Sequence, residues 1–228
     1  MTEITNTGER ILLAKETPLM IARHLRAYQY ALDYCSGKFV LDIGSGDGYG
    51  SHYLSGVAKS VTGLDYSAEA VQYARSKYPK ANLNYHQLDV KNLHTISDKF
   101  EVICCFQVIE HLADTESFLK NIRALLTANG IFIVSTCNIK DSSPGQSTPA
   151  NKFHVKEYTF QEFKDLLEKY FESVRIVGLK RTARLNFFCR LKKIGLLKQL
   201  YINAGPESFK IAPDNLEDSL DFIAVCKP

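Results

Sequence analysis

Apolar residues fall along this chain in short blocks separated by polar segments. The blocks Phe39–Ile43, Ser60–Leu64, Asn82–Leu88, Phe100–Phe106 and Ile131–Ser135 read as five strands, and Ser173–Leu179 and Phe222–Cys226 as a sixth and a seventh. Between them the apolar spacing turns helical. Residues 18–35 place Met20, Ile21, His24, Leu25, Tyr28, Ala31 and Leu32 at helical intervals, with Pro18 near the start and Gly37 past the end. A second helix runs from a glycine-rich turn to about Ser55. A third is capped by Ser67 and reaches about Lys77, with Pro79 beyond it. Asp114 caps a fourth, whose Phe118, Ile122 and Leu125 share a face and which Asn129-Gly130 stops. Thr159–Tyr170 is a further helix, opened by a capping box between Thr159 and Glu162. Strands alternating with helices in this way predict an α/β fold built on a parallel sheet. The continuously apolar strand after Glu101 suits a sheet covered on both faces.

Two segments break the alternation. Residues 139–152 are polar, with Pro144, Gly145 and Pro149, and read as a loop. From Ser173 to Pro206 there is no acidic residue but eight basic ones: Arg175, Lys180, Arg181, Arg184, Arg190, Lys192, Lys193 and Lys198. Phe187, Phe188, Leu191, Ile194, Leu196 and Leu197 are interleaved with them. Composition adds limits. The net charge of +3 does not by itself indicate nucleic acid, and no apolar run approaches the roughly 20 residues of a membrane span. The first residues lack the basic and apolar regions of a secretory signal, so a cytoplasmic chain is expected. Cys104 and Cys105 sit in an apolar run, and Cys35, Cys137, Cys189 and Cys226 lack paired spacing, so neither a disulfide framework nor a thiolate zinc site is suggested.

The candidate chemistry begins at Leu41-Asp42-Ile43-Gly44-Ser45-Gly46-Asp47-Gly48. A glycine-rich turn between strand and helix lets a ligand approach the backbone, and its amides favour an anion. A dinucleotide fingerprint, G-x-G-x-x-G/A, would need a small residue where Tyr49 stands. Asp42 is awkward beside a pyrophosphate but can receive the ammonium group of a methionine. Asp65, 21 residues after Gly44, lies at the distance of an acid that accepts ribose hydroxyls.

Val40–Gly48 resembles the first motif of class I S-adenosylmethionine-dependent methyltransferases. Val61-Thr62-Gly63-Leu64-Asp65 resembles their second-strand motif, and Gln87-Leu88-Asp89-Val90 their adenine segment. Phe100-Glu101-Val102-Ile103 and the Gly130–Ser135 strand also match in order and spacing, so the resemblance spans about residues 38–138. It implies a Rossmann-like sheet of seven strands, mostly parallel, with helices on both faces and the last strand antiparallel. It further implies a single domain: a helical cap at 1–37, a cofactor-binding core at 38–138, and an acceptor side at 139–228 with a basic insertion at about 180–215. By position, Asp42, Gly44, Ser45 and Gly46 are expected at the methionine end, Asp65 on the ribose, Tyr66 beside the adenine, Asp89 and Val90 at its edge and face, and Gln107 near the sulfonium.

Gln107-Val108-Ile109-Glu110-His111 resembles the E-x-x-E-H segment of small-RNA 2′-O-methyltransferases and of some ubiquinone-pathway O-methyltransferases, with Gln107 in place of a glutamate. That likeness offers Glu110, His111 and His154 as ligands for a divalent ion (Mg, Mn or Zn), which would lower the pKa of an acceptor hydroxyl. His111 or His154 as a metal-free general base, and a purely structural role, are the alternatives. Gly8-Glu9-Arg10, the segment His24–Ala31 and Phe153–Thr159 resemble methyltransferases of bacterial surface-polysaccharide and glycolipid pathways. This implies a sugar hydroxyl, on a glycan or nucleotide-sugar, as acceptor. An RNA 2′-hydroxyl, a quinone-like phenol and a non-catalytic cofactor-binding scaffold are the other readings. The basic segment 180–201 has three readings: contact with an anionic membrane surface, a grip on phosphates, or a solvated helical face.

Overall fold

The computed structural model describes residues 16–193 and 204–228; expectations that fall on 1–15 and 194–203, including Gly8-Glu9-Arg10 and Lys198, lie outside the described residues. Helix α1 (Pro18–Cys35) precedes strand β1 (Phe39–Ile43), helix α2 (Tyr49–Leu54), β2 (Ser60–Asp65), α3 (Ala68–Lys77), β3 (Leu83–Gln87) and β4 (Phe100–Phe106). Then come α4 (Thr115–Leu125), β5 (Leu126–Cys137), α5 (Ile139–Ser142), α6 (Phe160–Glu168), β6 (Ser173–Arg181), α7 (Ala183–Lys193), β7 (Phe209–Ala212) and β8 (Asp221–Lys227).

The strand order is β3-β2-β1-β4-β5-β8-β6-β7. Strands β1 to β5 pair in parallel, and β8 is inserted antiparallel between β5 and β6. The sheet therefore has eight strands, which corrects the expected seven. The extra strand, β7, pairs antiparallel with β6 at the sheet edge. Its four residues, Phe-Lys-Ile-Ala, are too few to show a period of two against the surrounding sequence. Another departure lies in 139–152, where Asn138 caps the short helix α5 by accepting the Lys140 amide. Strand β5 also starts earlier than Ile131: Leu126 already pairs with Phe100, and the register shifts before Val102 meets Ile131.

Alternation along the strands divides the core between two faces. Val40, Val102 and Cys104 face a cluster that includes Ala22, Ala31, Leu54, Val71 and Leu185 from α1, α2, α3 and α7. Leu41, Ile103 and Cys105 face the other, with Phe118 and Ile122 of α4 and Phe163 and Leu167 of α6. Each fully buried Leu, Ile or Phe contributes about 1.5–3 kcal/mol, so both helical layers are held by the sheet rather than by helix propensity. All six cysteines are free.

Helix α1 packs on one face of the sheet and brings Met20, Arg23, His24 and Tyr28 to the site. Thr17 caps it, and Pro18 occupies its first turn. Tyr28 packs edge-on against Phe106 at 4.7 Å. A Cβ on Gly50 would lie 2.0 Å from the Tyr28 ring, so α1 can seat on α2 only because residue 50 has no side chain.

Candidate active site

The loop after β1 is held from both sides. The amides of Gly44 and Ser45 donate to the Leu64 carbonyl, each at 2.8 Å. The Gly46 amide donates to Asp65 Oδ2 and the Ser67 amide to Oδ1, both at 2.9 Å. Asp65 thus fastens the loop to the end of β2 while its remaining lone pairs face the cleft. Gly44 has φ +75°, and a Cβ there would meet Val108 Cγ2 at 2.3 Å. This glycine is required by the close approach of the segment after β4 as well as by its left-handed backbone.

A cleft of about 380 Å³ opens above the loop. Gly44, Ser45, Gly46, Asp65, Tyr66 and Gln107 line it together with Glu110, His111 and His154, so the residues expected to bind cofactor and those expected to do chemistry share one space. A smaller hollow of about 80 Å³ adjoins it through Gly44, Asp65 and Tyr66; Asp89, Val90, Leu88 and Leu93 complete its wall. Asp89 also caps the turn that follows, accepting the Lys91 amide at 3.0 Å. A long ligand with a polar end at Ser45-Gly46, a diol at Asp65 and a flat ring between Tyr66 and Val90 matches this pair of hollows.

Asp42 lies elsewhere. It is fully buried and does not line the cleft. Ser51 Oγ donates to its Oδ2 at 2.6 Å, and the Tyr28 hydroxyl sits 3.4 Å from both oxygens. Burial raises its pKa to about 7, against the lowering by the Ser51 and Tyr28 hydrogen bonds. The structure therefore separates Asp42 from the cofactor loop surface by Tyr28, which itself lines the cleft.

Gln107 ends β4 with φ 55°, a left-handed conformation unusual for a side-chain-bearing residue. Its amide donates to the Ser135 carbonyl at 3.1 Å, and its side chain donates to Ser135 Oγ at 3.2 Å and Asp221 Oδ1 at 3.3 Å. Asp221 in turn takes two hydrogen bonds from Arg23 of α1, at 2.7 and 2.6 Å. This bidentate pair pins the cap helix to β8 beside the cleft. His24, on the same wall, is pulled down to a pKa of about 4 by burial, in spite of the Asp221 charge, and so is neutral.

At the acceptor end, Glu110 sits in a single 3-10 turn, Ile109–His111. Its Oε2 accepts from Thr136 at 3.1 Å, whereas its buried Oε1 has no partner. Burial raises its pKa to about 8, so the carboxyl is protonated at neutral pH. The His111 ring stacks edge-on against His154 at 4.8 Å, and its Nδ1–H donates to the Phe153 carbonyl at 2.9 Å. His154 Nδ1 contacts Glu157 Oε1 at 2.6 Å, and Asn151 Nδ2 donates to Nε2 at 3.0 Å. Glu157 is itself buried and accepts from Ser142 and Ser143, each at 2.6 Å. Although burial opposes it, these hydrogen bonds and His154 hold the Glu157 carboxyl below its usual pKa, so it stays ionised. An ionised carboxylate at Nδ1 fixes the proton there and leaves the Nε2 lone pair to accept from Asn151.

The expected ligand trio does not converge. Among the described residues the one group of three ligand-type side chains with atoms within 4.8 Å of one another is Glu110, Cys137 and His154; His111 lies outside it. Both ring nitrogens of His154 already have partners, and a metal there would have to displace Glu157 or Asn151. The donor set fits a metal poorly. Sequence reasoning missed Glu157, Arg23 and Asp221. The first had a faint signal, a glutamate three residues after His154; the other two are joined only by the fold.

A methyltransferase-domain family model matches residues 35–182. The chain belongs to the class I S-adenosylmethionine-dependent methyltransferases. Among relatives of this family, a probable S-adenosylmethionine-dependent methyltransferase of Mycolicibacterium smegmatis is 39% identical over 164 residues, covering 71% of this chain. The match spans 63% of that relative, so the chain accounts for somewhat less than two thirds of its length. The ubiquinone biosynthesis O-methyltransferase of Glaesserella parasuis is 38% identical over 109 residues, 45% of this chain and 46% of that one. The structure of the DhpI–SAH complex superposes with a TM-score of 0.60 at 17% identity, covering 94% of this chain and 88% of that one. That likeness concerns the fold. Among the described residues no helix is long and apolar enough to cross a membrane.

Proposed function

We propose that this protein transfers a methyl group from S-adenosylmethionine to a hydroxyl oxygen, with His154 as general base and a sugar hydroxyl, on a glycan or nucleotide-sugar, as acceptor. The observation that carries the reading is the His154–Glu157 pair at the end of the cleft that begins at the glycine loop. Bound S-adenosylmethionine supplies an electrophilic methyl on a cationic sulfur. Ser45, Gly46, Asp65, Tyr66, Asp89 and Val90 would hold it, with Gln107 on the same cleft wall. Glu110, neutral and in the cleft wall with its Oε1 unpaired, donates a hydrogen bond that orients the acceptor. The acceptor oxygen displaces Asn151 from His154 Nε2 and gives its proton to that nitrogen. The new O–C bond forms as the S–C bond breaks, and the electron pair of the broken bond stays on sulfur. Glu157 offsets the charge that develops on the imidazole.

Ser142 and Asn151 beside the dyad, and Glu16 elsewhere on the cleft wall, are polar and suit a hydroxyl-rich ligand. A second reading, a quinone-like phenol, is supported by the ubiquinone O-methyltransferase relatives. The deciding experiment is transfer from labelled S-adenosylmethionine into bacterial extract fractionated as glycan, RNA and small molecules, with and without chelator. Label in glycan that persists in chelator is expected. Label confined to small phenols establishes the second reading. Label in RNA, loss of activity in chelator restored by a divalent metal, or cofactor binding without any transfer would overturn the proposal.

A further inference from the structure

A second groove, of about 360 Å³, lies on the side of α1 away from the cleft, between α1 and the edge strands β6 and β7. Arg26, Gln29, Tyr30, Asp33 and Tyr34 of α1 line it with Arg175 of β6. Its polar atoms are arranged as donors. Arg26 spends one nitrogen on Gln29 Oε1, at 3.0 Å, while its Nε is buried and lacks any hydrogen-bond partner. Arg175 donates to the Tyr30 hydroxyl at 3.3 Å, and that hydroxyl lies 3.4 Å from the Tyr34 hydroxyl. Burial and the contact with Tyr34 raise the Tyr30 pKa to about 12, so its phenol keeps its proton.

Arg175 is exposed on the groove and each arginine spends one terminal nitrogen within the fold, so both guanidiniums keep N–H groups for an outside acceptor. Asp33, the one carboxylate on the groove, is exposed and makes no ion pair with either arginine among the described residues. Two guanidiniums and two phenols converging on a concave surface match the charge and the several acceptor oxygens of a phosphate group. The groove is larger than a bare phosphate requires, so it admits a phosphate with further groups attached.

We infer that the α1/β6 groove is a binding site for a phosphate-bearing ligand, separate from the cleft and read out by Arg26 and Arg175. The phosphate belongs either to a soluble diphosphate or to a lipid headgroup. The ligand would rest on α1, whose opposite side carries Met20, Arg23, His24 and Tyr28 into the cleft.

The test is titration of the full chain with inorganic pyrophosphate at low salt, followed by amide chemical shifts. Saturable shifts along α1 and β6 are expected. Arg26→Gln and Arg175→Gln should each weaken binding about tenfold or more, and the double variant should abolish it. S-adenosylmethionine binding serves as the control for folding and should be unchanged. Flotation with phosphatidylglycerol vesicles separates the two sources. Vesicle binding that pyrophosphate competes away and the double variant loses indicates a lipid headgroup, and pyrophosphate binding alone indicates a soluble ligand. Absence of saturable binding, or equal binding by a double variant that still takes up S-adenosylmethionine, would overturn the inference.

Discussion

Replacing Glu157 by glutamine tests the proposed base most directly. The substitution keeps the shape and removes one charge. In the structure the Glu157 carboxylate touches His154 Nδ1 at 2.6 Å, and both groups are largely shielded, with side-chain exposures of 0% and 12%. When His154 takes the acceptor proton, a full positive charge forms about 4 Å from the centre of the carboxylate. At an effective dielectric of about 20 that attraction is worth ~4 kcal/mol. Residual solvent and rearrangement of Ser142 and Ser143 reduce this to about 2–4 kcal/mol, or ~30- to 1000-fold in kcat at 1.4 kcal/mol per tenfold. Glutamine can also present its amide to Nδ1, which would move the proton to Nε2 and remove the base. Because Glu157 does not line the cleft, the KM for S-adenosylmethionine should stay near wild type. Labelled-methyl transfer at saturating cofactor gives the rate, and nitrogen-15 shifts of the His154 ring give the tautomer without need of an acceptor. A variant within about threefold of wild-type kcat, or a wild-type ring with its proton on Nε2, would refute the reasoning.

Other substitutions test the cofactor end, the buried acids and the cap helix. Asp65→Ala removes both the brace on the Gly46 amide and the expected ribose acceptor; S-adenosylmethionine binding measured by calorimetry should weaken by ~10- to 150-fold, from about 1.5–3 kcal/mol of charge-assisted hydrogen bonding. Glu110→Gln mimics the protonated carboxyl. The folded-state pKa, raised by burial to about 8, exceeds the unfolded value of about 4.3, so the wild type holds the stability of this group below pH ~4 and loses it as pH rises toward 8. The Tm advantage of Glu110→Gln over wild type should therefore grow from pH ~5 to pH ~8, and a flat difference would count against a buried neutral Glu110. Arg23→Ala leaves Asp221 buried without its bidentate partner and should cost about 3–5 kcal/mol in urea unfolding, with Asp221→Asn in the same background recovering part of the loss.

The sequence by itself determined the alternation of strands and helices and the family motif at the glycine-rich loop. Strands such as Phe100–Phe106 announce themselves because a parallel strand covered on both faces must be continuously apolar. The loop announces itself because Gly44, Gly46 and Asp65 meet local needs: left-handed backbone, close approach and a carboxylate at a strand end. Those requirements are short-range, so residue order records them. What only the tertiary structure decided involves pairs far apart in the chain. Asp42 reads as a cleft residue from its place before the loop, yet Tyr28 from α1 and Ser51 from α2 enclose it. Arg23 meets Asp221 across 198 positions, and β7 finds its place only as a partner for β6. His154 is oriented for its proposed role as base because Glu157, Ser142 and Ser143 converge behind it. Such convergence depends on how the segments after β5 return to the cleft, and no local pattern encodes the place where two distant segments meet.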